Sequence, residues 1–159
     1  MTFTNWVKVW CFNFLGALFL VFLVFFAHVA DMGPMAKGMM GIAVGKLTPD
    51  WFTLMFKGIL CNIFVCLGVW LAYAARGVVD RMLAVLLPVT AFVALGFEHC
   101  LANMYFLPMA YVLKLAGYAP ADVITLGNIA KNLTAATVGN TIAGLLLVGV
   151  YRQAFKKRG

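Results

Sequence analysis

An acid, an imidazole and an amide (Glu98, His99 and Asn103) stand close together in the middle of a long apolar run. The segments on either side, 82–95 and 105–113, carry no charge. Neither alone can cross ~30 Å of hydrocarbon, which takes a helix of about 20 apolar residues. Joined end to end they cross it, with Glu98 and His99 near mid-depth. Ionisable groups are costly at that depth and mark a function by default. An imidazole gives or takes a proton near neutral pH, which makes His99 the member of this cluster most apt for chemistry. The run therefore reads as one broken helix whose unwound centre, near 97–103, lines a permeation path.

Other side chains could serve such a path. Phe92 lies seven residues before His99, on nearly the same face of a regular helix, where its ring would flank the imidazole. Ordinary packing also explains that spacing. Lys46 precedes a predicted helix start, where an outer cation would collect anions; the alternative is a solvated loop lysine. Asn62 shares a helix face with Val65, three residues on. An amide in lipid must find a partner, and gluing one helix to another is its commonest task. Asn140 admits the same two readings. His28, one turn from the outer end of the first apolar stretch, reads as interfacial. Cys11, Cys61, Cys66 and Cys100 lack C-x-x-C spacing, which supports neither a zinc site nor a disulfide framework. They read as small buried hydrophobes.

The elements that must hold these residues follow from composition. The chain has 159 residues, 65% hydrophobic and 11% charged. A soluble core of that length cannot hide so much apolar surface, so the class is an all-α integral membrane protein. Four spans are predicted in one domain: 9–30, 50–75, 82–115 with its break near 97–103, and 132–151. Lys8, Arg76, Arg81, Arg152, Lys156, Lys157 and Arg158 fall on one side of these spans. Lys37, Lys46, Lys114 and Lys131 fall on the other, with Lys57 just inside a span. Both termini are therefore predicted cytoplasmic. The net charge of +7 reflects this topology; no nucleic-acid module is present.

Local signals refine the boundaries. Residues 31–48, with Gly33-Pro34 and Gly45, are predicted too broken for a helix of any length. Thr48-Pro49-Asp50 reads as N-cap, first-turn proline and first-turn acid of the second span. Gly96 permits a break, and Pro108 fits a helix restarting near Asn103 with its positive end toward the membrane centre. Asn132 or Thr134 is the predicted cap of the last span. Gly139, Gly144 and Gly149 within that span allow close helix contact.

The block Gly96-Phe97-Glu98-His99-Cys100-Leu101-Ala102-Asn103-Met104 resembles the formate/nitrite transporter family, whose members carry F-E-H-[SC]-x-A-N-M. Residues 58–70, 87–93 and 137–149 resemble the family's fourth helix, the first half of its fifth and its sixth. With residues 13–16 the resemblance covers nearly the whole chain. It implies an aquaporin-like protomer of six helices in two inverted repeats, assembled as a homopentamer with one pore per protomer. It further implies that His99 is the central pore histidine and Lys46 the lysine at the outer mouth. Asn62 and Asn140 match the polar network near the histidine. Phe92 and Val65 match the apolar constriction, and Glu98 and Asn103 match residues bracing the loop. Only helices three to six are matched, so the chain is expected to be a C-terminal portion truncated to four spans, or to pair with a polypeptide supplying the rest. Cys100 replaces the common serine and leaves the anion open.

The expected function is transport of small monovalent weak-acid anions, formate first and nitrite or hydrosulfide as further substrates, across the cell inner membrane, with the central histidine, His99, exchanging a proton with the substrate. No catalysis, cofactor or metal is expected. Two alternatives stand beside it: a haem- or quinone-binding membrane subunit using His28 and His99, and a fragment that packs without transporting.

Overall fold

The structure is a computed structural model and describes residues 2–29, 33–118 and 121–156. Ala30 and Asp31, at the predicted end of the first span, lie outside the described residues, as do Pro120 and the basic Lys157 and Arg158. All regular structure among the described residues is helical: α1 (Thr2–Phe26), α2 (Gly33–Leu47), α3 (Trp51–Ala74), α4 (Val78–Ala94), α5 (Cys100–Leu115) and α6 (Leu126–Ala154). Three of them, α1, α3 and α6, are long and apolar enough to cross a membrane. Large apolar side chains such as Phe12, Phe19, Phe52, Leu86 and Leu146 are exposed, the inverse of a soluble protein and suited to lipid. The helices gather into two compact units, Met1–Asp50 with Cys100–Leu133 and Trp51–His99 with Thr134–Gly159.

In the first unit α2 corrects the sequence reading, which expects no helix there. Ala36, Met40, Ala43 and Leu47 recur at helical spacing and are buried. Gly38, Gly41 and Gly45 face open space, where a missing side chain costs no packing. The stripe joins Met104, Leu107, Ala110 and Leu113 of α5 in one core, with Ile124, Ile129 and Leu133. Trp10, Phe14, Ala17 and Val21 bring α1 against the same core. Tertiary packing thus overrides the glycine penalty of roughly 1 kcal/mol per residue. Of the cysteines, Cys61 is buried and Cys66 and Cys100 are half-buried, but Cys11 is exposed on α1 and not the buried hydrophobe expected.

In the second unit α3 and α4 form a hairpin across the short turn 75–77. The Asp80 carboxylate accepts the Gly77 amide at 3.2 Å and closes the first turn of α4. α3 passes the proline turn of α4 at Gly68, where a β-carbon would make ordinary van der Waals contact, 3.5 Å from the Ala84 carbonyl oxygen and from Pro88 Cγ. The later turns of α6 approach α3 more closely still. A β-carbon at Gly139 would fall on the Met55 carbonyl oxygen and 3.0 Å from Gly58 Cα. Trp70 and Tyr151 meet edge to face at 4.6 Å. Between apolar helices in lipid, such close packing and interhelical hydrogen bonds supply the stability that water exclusion supplies in soluble proteins.

The helix starts differ from the sequence reading: α1 and α4 begin earlier than predicted, at Thr2 and Val78, and three other starts differ in what sets them. α3 begins at Trp51, and the Thr48 hydroxyl bonds backward to the Val44 carbonyl at 2.7 Å instead of capping forward. α5 begins at Cys100, so Pro108 falls inside it. α6 begins at Leu126, where Thr125 Oγ1 accepts the Asn128 amide at 3.1 Å; neither Asn132 nor Thr134 caps it.

Candidate functional site

The break predicted in the third span is present, and its chemistry is local. α4 stops at Ala94, and Gly96 takes a φ of +65°. The Gly96 amide donates to the Val93 carbonyl and the Phe97 amide to the Phe92 carbonyl, each at 3.1 Å. This is a Schellman motif with glycine in the left-handed position, where it carries no Cβ penalty. α5 ends the same way at Gly117, φ +82°. The Phe97 ring then packs against Phe64 of α3 at 6.0 Å.

The reversal brings His99 back over α4. Its imidazole lies 5.7 Å from the Phe92 ring with only 16° between the planes. The sequence reading pairs these two by the seven-residue repeat of an unbroken helix. The pairing is observed, but it arises because the chain folds back after Gly96. His99 is half-buried, Phe92 is buried, and Glu98 is 1% exposed.

Two amides of the second unit hold this stretch. Asn140 Nδ2 donates to the Glu98 carbonyl at 2.9 Å and to the Gly58 carbonyl at 2.8 Å. Asn62 Nδ2 donates to the Asn140 carbonyl at 2.6 Å. The Glu98 amide faces the Lys57 carbonyl at 3.5 Å, the long limit of a hydrogen bond. An asparagine amide carries two N–H donors, and Asn140 uses them to join α3, α6 and the unwound segment. Close approach at Gly58 and Gly139 makes that reach geometrically available. Val65 is half-buried, three residues beyond Asn62 on α3.

Lys46 and Asn103 belong to the first unit. Lys46 is half-buried in the last turn of α2, the end that attracts cations. Asn103 is fully buried in the first turn of α5 and donates to Asn132 Oδ1 at 2.8 Å. Asn132 in turn donates to the Lys46 carbonyl at 2.7 Å. The neighbouring Lys131 donates its ammonium to the carbonyls of Leu47, at 3.0 Å, and Pro49, at 2.9 Å. Sequence reasoning treats Lys131 as a topology marker and Asn132 as a cap, and so misses this role. The available signal was a Lys-Asn pair opening an apolar run that already had Thr125 to start it. His28 is exposed at the end of α1 with a φ of 54°.

The arrangement offers an imidazole against an aromatic face, a backbone segment fixed by buried amides, and a half-helix starting at the next residue.

A family model described as formate/nitrite transporter matches residues 1–154. The chain is 34% identical to the formate channel FocA of Haemophilus influenzae over 96% of its own length and 59% of that protein's. It is 36% identical to FocA of Escherichia coli strain K12, over 92% of this chain and 56% of that one. Among solved structures it is similar to a pentameric formate channel with formate bound, at a TM-score of 0.88 and 32% identity, covering 96% of this chain and 66% of that one. The chain thus spans somewhat over half the length of the curated relatives it matches.

Proposed function

The chain belongs to the formate/nitrite transporter family, and we propose from that premise that it conducts small monovalent weak-acid anions, formate foremost, with His99 as the proton-exchanging group. Nitrite and hydrosulfide are the further substrates of the proposal. The observation that carries it is the Phe92–His99 stack on an unwound, amide-anchored segment between two apolar helices. A formate anion sheds its water at a cost of several kcal/mol in an apolar constriction, whereas formic acid crosses readily. Lys46 draws the anion in. Losing water raises the anion's proton affinity, and His99 supplies the proton. Phe92 and Val65 exclude hydrated ions while the neutral acid passes. Asn62, Asn140, Glu98 and Asn103 keep the path in shape.

The same reading places the protein in the cell inner membrane with both termini cytoplasmic, following its Lys and Arg distribution. The assembly is a homopentamer, the state named for the similar solved channel. The function is transport and not catalysis.

Formate uptake into proteoliposomes tests the reading. The wild type is expected to take up formate faster at acid than at neutral external pH. His99→Phe should abolish that pH dependence. Unchanged uptake and an unchanged pH profile in His99→Phe would remove the proton role.

A further inference from the structure

Lys46 stands at an awkward place for attracting anions. It lies in the last turn of α2, where the final carbonyls of a helix point outward and sum to roughly half a negative charge. An anion approaching its ammonium meets those oxygens as well. Three of them are occupied. The Val44 carbonyl takes the amide of Thr48 at 3.1 Å and its hydroxyl at 2.7 Å. The Lys46 carbonyl takes Asn132 Nδ2 at 2.7 Å, and the Leu47 carbonyl takes Lys131 Nζ at 3.0 Å. Lys131 also reaches the Pro49 carbonyl, 2.9 Å away. Helix ends are usually finished by their own chain, with a left-handed glycine or a local side chain. Here two of the three partners come from α6, more than 80 residues later.

We propose that Lys131 and Asn132 form a cap delivered by α6 to the C-terminus of α2, and that both are positioning residues for anion capture at Lys46. The inference rests on the reading of Lys46 as the anion-attracting lysine. Asn132 fixes the backbone of Lys46 and ties it through Asn103 to the first turn of α5. Lys131 sets a full positive charge on the two carbonyls beyond Lys46, offsetting the negative end of α2. The Lys46 ammonium then acts on the anion without an opposing field.

Formate uptake by the full chain in proteoliposomes, at low and high ionic strength, tests this. Lys131→Met should raise the KM for formate about two- to fivefold at low salt, the size of a helix-end charge effect. The difference should shrink at about 0.5 M salt, where such fields are screened. Maximal flux and the pH profile should stay as in the wild type, and Lys131→Arg should restore the KM. Asn132→Ala should also raise it. Lys131→Gln, neutral but still a donor, is made alongside, and the criterion applies to whichever neutral variant elutes as a folded oligomer. A raised KM in Lys46→Ala with no rise in the neutral Lys131 variant overturns the inference alone. A wild-type KM in Lys46→Ala removes the reading of Lys46 and the inference with it. A Lys131→Arg variant as impaired as Lys131→Met would show packing, not charge, and overturn it too.

Discussion

The two interruptions between helices, 48–50 after α2 and 95–99 after α4, solve one problem by different means. After α4 the chain turns on its own: Gly96 goes left-handed, two backbone bonds close the end, and Asn140 then pins the Glu98 carbonyl. After α2 there is no positive-φ residue, and the last carbonyls are satisfied largely by Lys131 and Asn132 of α6. A turn made by glycine is robust wherever its neighbours sit. A cap supplied from a distant helix exists only when that helix is in place. The lesson is that the histidine-bearing break is written locally, whereas the lysine-bearing helix end is written across the chain.

Substitutions can break or sharpen this contrast. The largest effect is expected at Gly139, because the anchor of the second interruption depends on α6 touching α3. Gly139→Ala sets a β-carbon against the Met55 carbonyl and Gly58 Cα, backbone atoms that cannot rotate away. Overpacking of this kind costs about 3 kcal/mol or more, and loss of folded protein on size exclusion would report it. Next is Asn140→Ala, which strips the donor from the Gly58 and Glu98 carbonyls. Losing these two bonds is expected to cost about 1–3 kcal/mol in all. A lowered melting temperature is the expected readout and, on the proposed function, a fall in formate flux alongside it.

Gly96→Ala is a purer test of local encoding. Nothing lies within 4 Å of its would-be β-carbon, so only the positive φ resists the change. The expected loss is about 1–2 kcal/mol, seen as a modest drop in melting temperature. The smallest effect belongs to the first interruption. Thr48→Ala removes an exposed hydroxyl bond to Val44 but leaves the amide bond to the same carbonyl. A change within about 0.5 kcal/mol is expected. A large loss there would mean that the α2 end is closed by its own chain after all, and the contrast would fail.

These differences track what could be read in advance. The break, expected near 97–103 and found at 95–99, was legible because glycine, acid and imidazole interrupt an apolar run, and each signal is local; the amide of Asn103 lies inside α5. The Phe92–His99 pairing was legible for the wrong reason, since an unbroken helix and a folded-back turn both bring position 92 toward 99. The helix α2 was illegible because four glycines mask a buried stripe whose value depends on α5 opposite it. The start of α6 was misplaced because Asn132 looks like a cap and is in fact a buried bridge between Asn103 and Lys46.

Composition and charge alone determined that this is a helical membrane protein, and one nine-residue block determined its family and the position of its histidine. Those properties depend on hydropathy, on φ preferences and on residues adjacent in the chain. Only the tertiary structure decided that residues 33–47 are a helix, that Asn140 holds the Glu98 carbonyl, and that Lys131 and Asn132 finish the end carrying Lys46. Each of these is a hydrogen bond or a packed face between segments dozens of residues apart. The free energy of such a contact depends on a partner that no local stretch of sequence contains.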